Sequence, residues 1–367
     1  MKKTLIALSL FGLSTAAMAD VTLYGQIKAG VEVSQTKIHV NGNKIKDHTT
    51  TELADFGSRI GFKGHESLGN GLNAIWKVES RTPVSGTGNA WGNRQAYIGL
   101  ETTAGTIRAG KMSTQLDDME DGSGKWENNN HALDLDTLKR TSEKILSVRY
   151  DSPVFAGFSG NVQFSPRDNA TTNVRGKGYT AGRDGNGGDT SSYYAGLNYE
   201  NSGFFAQYGF AYKKTASVGT SGKKSGQAHR VVAGYDANNL FVSGTYQYTN
   251  GWDSVNSYAA TLLADEDYDA TADHSAGIKT HELAVSGAYT MGNVTPKVSY
   301  AHGFKVKGKN LSNELKDASE YNQVVIGADY DFSKRTTAFA QAGWLKAGKK
   351  DNKVETTAGL VGLRHKF

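Results

Sequence analysis

The feature that most constrains the fold of this chain is an alternation of apolar and polar residues with a period of two. Residues 20–33 read DVTLYGQIKAGVEV, in which the odd positions are apolar or small and Thr, Tyr, Gln, Lys, Gly and Glu stand between them. Successive side chains of a β-strand point to opposite faces, so this segment is predicted to form a strand with one apolar and one polar face. The pattern returns in LNAIWKVESR (72–81), GFFAQYGFAYK (203–213) and LFVSGTYQYT (240–249).

The connections between the predicted strands are alternately short and long. The short ones lie at 67–72, 200–203, 236–239, 290–293 and 331–334, and all but the last contain Gly or Asn. The long, polar ones cover 34–55, 113–143, 167–191, 250–279 and 304–320. Strands of about ten residues with short turns at one end and long loops at the other are typical of a barrel in a bacterial outer membrane.

The chain is therefore predicted to be all-β, a 16-stranded antiparallel transmembrane β-barrel with short periplasmic turns and long extracellular loops. Its strands are predicted to begin near residues 20, 56, 71, 93, 105, 144, 158, 192, 203, 227, 239, 280, 293, 321, 335 and 354. The apolar face is expected to point outward into lipid and the polar face inward toward water. The segment GLVGLRHKF at 359–367 is a strand that needs a partner, and pairing with the first strand would close the barrel and leave no edge in lipid.

The residues before Asp20 indicate a secretory signal peptide. A basic MKK precedes the apolar TLIALSLFGL, and AAMA has the small residues of a cleavage site. We expect residues 1–19 to be cleaved and residues 20–367 to form the barrel domain. Loss of Lys2 and Lys3 lowers the formal net charge from +5 to +3, which is too balanced to predict nucleic-acid binding. No apolar run of about 18 residues follows, so no transmembrane helix is predicted.

A soluble antiparallel sandwich also shows alternating strands and is the competing fold. Sixteen strands exceed one sandwich, and their polar faces carry Lys, Arg, Glu and Gln.

The chain has no Cys, which excludes disulfides, thiolate metal ligands and Cys nucleophiles. GFKVKGKN at 303–310 approaches a phosphate-binding loop but has Asn310 where that loop has Ser or Thr. We expect no cofactor and no metal.

Several segments together resemble the neisserial-type general porins of Gram-negative outer membranes. They are DVTLYGQIKAGVEV, SRIGFKGHESLGNGLNAIWKVE, WGNRQAYIGLE, GTIRAGK, LSVRYDSPVFAGFSGNVQF and YYAGLNYENSGFFAQYG. The resemblance implies a homotrimer in which each subunit has its own pore, narrowed by a third long loop that folds inward. It also implies that Phe367 is an assembly signal read by the barrel-assembly machinery, although His365 departs from the usual apolar residue. The expected location is the cell outer membrane, among its lipids.

An inward-folded third loop would bring opposite charges together in the pore. Residues 113–143 carry eight carboxylates and three cations, and the site carboxylates predicted here are Asp117, Asp118, Glu120 and Asp121. Strand parity places basic residues on the inner wall, namely Lys28, Arg59, Lys63, Lys77, Arg81, Arg108 and Arg149. Arg94 is assigned to the wall from the resemblance. Opposed fixed charges would sort ions by sign and orient dipolar solutes, with the preferred sign left open.

The predicted function is an outer-membrane porin for passive diffusion of ions and small hydrophilic solutes, without enzymatic activity. The alternatives are a barrel that acts mainly as an adhesin or structural protein, and a membrane-embedded hydrolase. A lipase would interrupt the lipid face with Ser and His, and no such interruption stands out. Inward small residues at Gly30, Gly61 and Gly209 favour an open interior over a plugged one.

Overall fold

The computed structural model describes residues 20–40, 43–86, 91–127, 130–167, 189–217, 224–262, 277–309, 311–349 and 352–367. The predicted signal peptide at 1–19 lies outside the described residues, and so does Asn310 of the segment that approaches a phosphate-binding loop. Structural statements below refer to these ranges.

Sixteen antiparallel strands run in chain order around one closed sheet. The first eight are β1 (Asp20–Val40), β2 in three segments (Asn43–Lys46, Thr50–Asp55 and Arg59–Gly69), β3 (Leu72–Arg81), β4 (Gln95–Thr102), β5 (Gly105–Ser113), β6 (Lys144–Asp151), β7 (Phe158–Ser165) and β8 (Ser192–Asn201). The others are β9 (Phe204–Ser217), β10 (Lys224–Ala237), β11 (Leu240–Ser254), β12 (Gly277–Tyr289), β13 (Val294–Gly303), β14 (Tyr321–Asp331), β15 (Thr336–Lys349) and β16 (Asn352–Lys366).

The predicted strand number is confirmed, and the predicted starts are close to the observed ones. The exception is β2, whose predicted start at 56 falls between its second and third segments. Asp55 causes this interruption, since its carboxylate accepts hydrogen bonds from the backbone N–H groups of Gly57 and Ser58. Gly57 adopts a φ of 95°, which a residue without Cβ tolerates.

The barrel closes where β1 pairs with β16. The register runs from Gln26 opposite Lys366 to His39 opposite Lys353. Beyond it, Gly25 and Phe367 exchange two backbone hydrogen bonds of 3.0 and 3.1 Å. All strands in the sheet therefore have a partner on both sides, as a bilayer without competing water requires.

The two faces of the sheet have the predicted orientation. Val21, Leu23, Ile27, Val31 and Val33 are exposed on the outside of β1. Between them, Gln26 and Glu32 are buried on the inside. The same outward exposure of apolar residues holds in β12, at Leu283 and Val285.

Short helices lie in the loops and not in the wall. They are α1 (Gln115–Asp118), α2 (Asp136–Lys139), α3 (Val255–Ala260) and α4 (Asn313–Ala318), with a 3-10 turn at Ser123–Lys125. None of these helices has the length and apolar character needed to cross a bilayer.

The inner wall is less uniformly polar than the sequence pattern predicts. Inward positions of β12 to β16 include Ala284, Ala301, Tyr321, Phe339 and Leu345, all buried. They pack against loop residues in a single hydrophobic cluster. The interior beside β12 to β16 is thus a packed core and not a wet surface.

A charge on the outer face should destabilise the barrel, whereas a charge on the inner face should not. We predict that Val162→Lys, at an outward position in the middle of β7, lowers the free energy of unfolding by about 2–4 kcal/mol because the ammonium enters hydrocarbon. Chemical denaturation in liposomes measures this. Ser159→Lys, on the inner face of the same strand, is the matched control. Equal stability of the two variants would contradict the assignment of the faces.

Candidate functional site

The segment between β5 and β6, residues 114–143, folds into the barrel and is called the constriction loop below. From β5 it first follows the inner wall past β8, β9 and β10 and reaches β15, β16 and β1. It then turns back, passes the inner faces of β14, β12 and β11, and joins β6. Its contacts include Gln115 with Asn198, the N–H of Glu120 with Gln207, and Trp126 with Ser299. The predicted inward folding of the third loop is confirmed.

Arg230 of β10 is the innermost anchor of this loop. Its guanidinium is fully buried and donates to Asp121 Oδ2 at 2.7 Å. It also donates to the carbonyl oxygens of Leu116 and Leu138, which belong to the outgoing and returning halves of the loop. Gln247 of the neighbouring strand accepts two further bonds at 2.8 and 2.9 Å. One side chain of the wall therefore holds both halves of the loop.

Arg140 makes a second buried anchor from the loop toward the wall. It donates to both carboxylate oxygens of Glu282 at 2.5 and 2.7 Å and to Asp253 at 2.9 Å. Thr280 accepts another of its N–H groups at 2.7 Å. Both carboxylates are buried. Nε, Nη1 and Nη2 thus donate to three different side chains of the wall, and these charge-assisted bonds fix the orientation of the guanidinium as well as its position.

A third anchor lies where the loop reaches the barrel seam. Glu127 accepts hydrogen bonds from Lys28 of β1 and, at 2.6 Å, from Arg364 of β16. Gln341 of β15 binds the backbone on both sides of this point. The carboxylate of Glu127 is thus shared by cations on the two strands that close the barrel.

Two inward glycines let the loop approach the wall closely. A Cβ on Gly209 would lie 2.7 Å from Leu116 Cδ2, and one on Gly343 would lie 1.9 Å from the carbonyl oxygen of Ala132. A Cβ on Gly61 would overlap the ring of Tyr24. The hypothesis that Gly30, Gly61 and Gly209 open the interior is therefore wrong at Gly61 and Gly209, because neighbouring side chains fill the space there.

The opposite part of the wall, from β2 to β4, carries a ladder of basic residues. Arg59 stands directly across from Arg81, and Lys63 directly across from Lys77. Like charges in such cross-strand positions repel each other. Between the two pairs, Glu79 lies 2.7 Å from Arg94, 3.5 Å from Lys77 and 4.0 Å from Arg59. The ladder, defined as Arg59, Lys63, Lys77, Arg81 and Arg94, thus has one carboxylate within salt-bridge distance in the described residues.

Tyr24 lies at the centre of this ladder. Its hydroxyl donates to Glu79 at 2.9 Å, and the ammonium groups of Lys63 and Lys77 lie 5.9 and 5.6 Å from its ring centre. A tyrosine ring attracts cations through its negative face. Tyr24 therefore helps to keep the two lysines together.

Arg108 and Arg149 form a further opposed pair on β5 and β6. Asp151 binds both, at 2.6 Å from Arg108 and 2.8 Å from Arg149. Arg149 also binds Asp118 of the loop at 2.7 Å. Lys144 binds Asp117 at 2.5 Å. These ion pairs bind the start of the constriction loop to the wall from which it departs.

Across the bore, about six or seven strands away from the ladder, an acidic depression faces the lumen. Glu120 of the loop lines it with Glu200 of β8 and Asp236 of β10. Partial burial, reinforced by neighbouring carboxylates, raises the pKa of Glu120 against the opposing effect of Lys125. The bore thus has a basic wall on one side and a smaller acidic group on the other.

The sequence predicted that the loop carboxylates face the basic wall across an open gap. In the structure, most of these carboxylates are instead in direct contact with cations of the wall. Asp117, Asp118 and Asp121 are held in ion pairs with Lys144, Arg149 and Arg230, so three of the four predicted loop carboxylates are already neutralised. Glu120 is the predicted carboxylate that faces the lumen. Lys28 lies in the seam beside Glu127, and Arg94 lies on the wall beside Glu79.

Sequence reasoning missed the anchors. Arg230, Glu282 and Arg364 lie at inward positions by parity, and that signal was available for each of them. Their partners could not be identified from the sequence. Each of these wall residues pairs with a residue of the constriction loop, which lies far away in the chain and has no periodic pattern. In the described residues, no group of three His, Asp or Glu side chains is placed to hold a metal ion.

Loss of the innermost anchor should destabilise the fold. We predict that Arg230→Met lowers the free energy of unfolding by about 3–5 kcal/mol, because Asp121 is then buried without its cation. Denaturant titration of the protein in detergent measures the change. Arg335→Met, in the exposed turn after β14, is the control. The double variant Asp121→Asn and Arg230→Met should recover part of the loss, and no recovery would contradict the assigned pairing.

Comparison with known proteins gives matches along the whole chain. The model of a family described as Gram-negative porin matches residues 28–367. The chain is 51% identical to the major outer membrane protein P.IB of Neisseria sicca and 46% identical to that of Neisseria meningitidis serogroup B, serotype 15, with all of each chain covered.

Solved structures agree in fold. The anion-selective porin from Comamonas acidovorans superposes with a TM-score of 0.63 over 95% of this chain and 100% of that one, at 17% identity. OmpF of Salmonella typhi, in a complex with daunomycin, gives a TM-score of 0.61 over 95% of this chain and 98% of that one, also at 17% identity. At this identity the likeness concerns the barrel architecture alone.

Proposed function

The chain belongs to the Gram-negative porin family, and on that premise we propose that its basic ladder and constriction loop set which solutes pass. As a member of this family the protein is an outer-membrane channel for passive diffusion and not an enzyme. What is proposed is the origin of its selectivity. The observation that carries the proposal is the placement of three cations around the single carboxylate of Glu79 on the open side of the bore.

The packing of the loop decides where solutes can pass. Because the constriction loop is bound to the inner face from β6 through β16 to β1, the free cross-section lies against β2 to β4. Solutes in this part of the bore pass next to the ladder. At physiological salt the screening length is about 8 Å, so a fixed charge closer than this to a passing ion still interacts with it.

The balance of fixed charge favours anions. Glu79 and Asp151 are surrounded by more cations than they neutralise, whereas the loop carboxylates are mostly paired with wall residues of their own. Glu120, Glu200 and Asp236 oppose the ladder from the far side. The resulting transverse field should orient dipolar solutes, with their negative ends toward β2 to β4.

Assembly and partners are also proposals. The family resemblance supports a homotrimer, insertion by the barrel-assembly machinery through the signal at Phe367, and contact of the outer face with outer-membrane lipids. Phe367 is hydrogen-bonded to Gly25 at the seam, and its ring lies over this residue. The final residue therefore contributes to closure in addition to any role in recognition.

We predict that replacing two ladder cations reduces anion preference. A unit charge about 4 Å from a passing ion is worth about 1 kcal/mol in water. The double variant Arg59→Gln and Arg94→Gln should therefore lower the ratio of anion to cation permeability several-fold. The reversal potential across a planar bilayer under a KCl gradient measures this ratio. Lys334→Gln, in the turn after β14, is the control, and an unchanged ratio in the double variant would refute the role of the ladder.

A thiol placed on the loop should report its position in the bore. Because the chain has no Cys, Glu120→Cys introduces a single reactive site. Bulky thiol reagents should then lower single-channel conductance, since the adduct occupies the lumen. Ser333→Cys, in a turn outside the bore, should label without this effect. Complete labelling of Glu120→Cys at unchanged conductance would show that this part of the loop does not line the solute path.

A further inference from the structure

Two neighbouring cavities lie beneath the constriction loop, at the end of the barrel that carries the short turns. In an outer-membrane barrel this end is periplasmic. The first cavity, of about 440 Å³, is bounded by Glu120 of the loop, by residues 200–205 around the turn between β8 and β9, and by Asp236 of β10. The second, of about 360 Å³, also borders on Asp236 and is bounded by Lys125 of the loop and by residues of β11 to β14 and of β16.

The first cavity, called the acidic chamber below, has an excess of negative charge. Its carboxylates are those of Glu120, Glu200 and Asp236. Asp236 is paired with Lys125, whose Nζ lies 3.8 Å from Asp236 Oδ2. Glu120 and Glu200 are exposed, and neither forms a salt bridge with any residue that the structure describes. Two carboxylates of this chamber are therefore available to a cationic group of a solute.

The second cavity, called the basic chamber, has the opposite excess. Lys297 and Arg364 lie 2.7 and 3.8 Å from Asp329, which they share, and Arg364 also binds Glu127. Lys366 of β16 has the same inward parity as Arg364 and is exposed. Within the described ranges Lys366 forms no salt bridge, so its ammonium is available to an anionic group of a solute.

A pair of aromatic rings lies between the two chambers. Phe205 borders the acidic chamber and Phe241 the basic one, and the two rings are stacked with their centres 6.4 Å apart. The ammonium of Lys125 lies 3.9 Å from the centre of the Phe241 ring. The boundary therefore offers apolar contact between two ends of opposite charge.

A solute with an ammonium at one end and a carboxylate at the other would meet a complementary charge in both chambers. Its ends must lie farther apart than the 6.4 Å between the rings, which a free amino acid cannot reach because both of its charged groups are attached to one Cα. An extended chain covers about 3.3–3.6 Å per residue, so two or three residues suffice. We propose that the chambers bind short zwitterionic peptides, with the terminal ammonium at Glu120 and Glu200 and the terminal carboxylate at Lys366.

Solutes of a single charge match only one of the chambers. An inorganic anion gains from Lys366 but not from the acidic chamber, and an amine gains from the carboxylates alone. The peptide site lies on the periplasmic side of the constriction loop and is independent of the basic ladder, since no ladder residue lines either chamber.

The test records single channels of the refolded protein in a planar bilayer, with alanyl-phenylalanyl-alanine as the probe. A bound peptide reduces the ion current, and the concentration dependence of this effect gives its affinity. The comparison probes are the same peptide acetylated at its N-terminus or amidated at its C-terminus. An ion pair at about 4 Å in water is worth about a fivefold change in affinity, so each blocked peptide should bind about fivefold more weakly.

Two variants assign the ends of the peptide. Glu200→Gln should weaken binding of the free peptide about fivefold and leave the affinity of the acetylated peptide unchanged, because that peptide has no ammonium. Lys366→Gln should act in the same way toward the free and the amidated peptide, whereas Lys366→Arg, which keeps the charge, should bind like the unmodified protein. The matched control combines Glu66→Gln with Lys334→Gln, at exposed positions beside short turns and outside the bore, and should retain the affinity of the unmodified protein.

Three results would overturn the proposal. They are the absence of any effect of the free peptide on the current, equal affinity of the free, acetylated and amidated peptides, and equal affinity of the unmodified protein and both Gln variants for the free peptide. Open channels formed by each variant before peptide is added show that its barrel is intact. The reversal potential of the ladder variant is a separate measurement, so a failure of the ladder and a failure of the peptide site are distinguishable.

Discussion

Every structural feature of this protein depends on the requirement that backbone N–H and C=O groups be paired where no water is present. A sheet in hydrocarbon meets this requirement only when it closes on itself. The register between β1 and β16, completed by the hydrogen bonds of Gly25 and Phe367, is the closure. Because the side chains of a closed sheet must point either into lipid or into the lumen, closure also converts an alternating sequence into an apolar outside and a charged inside.

The closed cylinder is wider than its side chains can fill, and the constriction loop occupies the difference. Three buried or half-buried anchors hold it, at Arg230, at Arg140 and at Glu127. Each combines an ion pair with hydrogen bonds to the loop backbone or to neighbouring side chains. Charges of this kind are costly to bury unless they are fully partnered. Their role here is to fix one loop position, and the apolar residues of the loop and of β12 to β16 then pack around it.

The same anchoring explains why the interior charges are distributed unevenly. The loop neutralises wall cations on the side where it lies, and the cations of the basic ladder remain exposed on the other side. In the proposed function, selectivity would arise from the charges that this packing leaves uncompensated.

The fold class and most strand positions could be predicted from the sequence, because a period of two records the two environments of each strand directly. Parity also placed Arg59, Lys63, Lys77 and Arg108 on the inner face. It could not show that Ala284, Tyr321 and Phe339 face inward for packing, since an inward apolar residue interrupts the very pattern on which the prediction depends. The break in β2 at Asp55 was missed for a related reason, as a local side-chain cap has no periodic signal.

The sequence by itself determined that this chain forms a sixteen-stranded barrel with apolar side chains outside and charged side chains inside, because alternation is a local property of each strand. Only the tertiary structure decided which carboxylates of the loop are neutralised and which face the bore. The physical reason is distance along the chain: Asp121 and Arg230 are 109 residues apart, and Glu127 and Arg364 are 237 residues apart. Such pairs require the closed cylinder, which brings distant parts of the chain together around the loop.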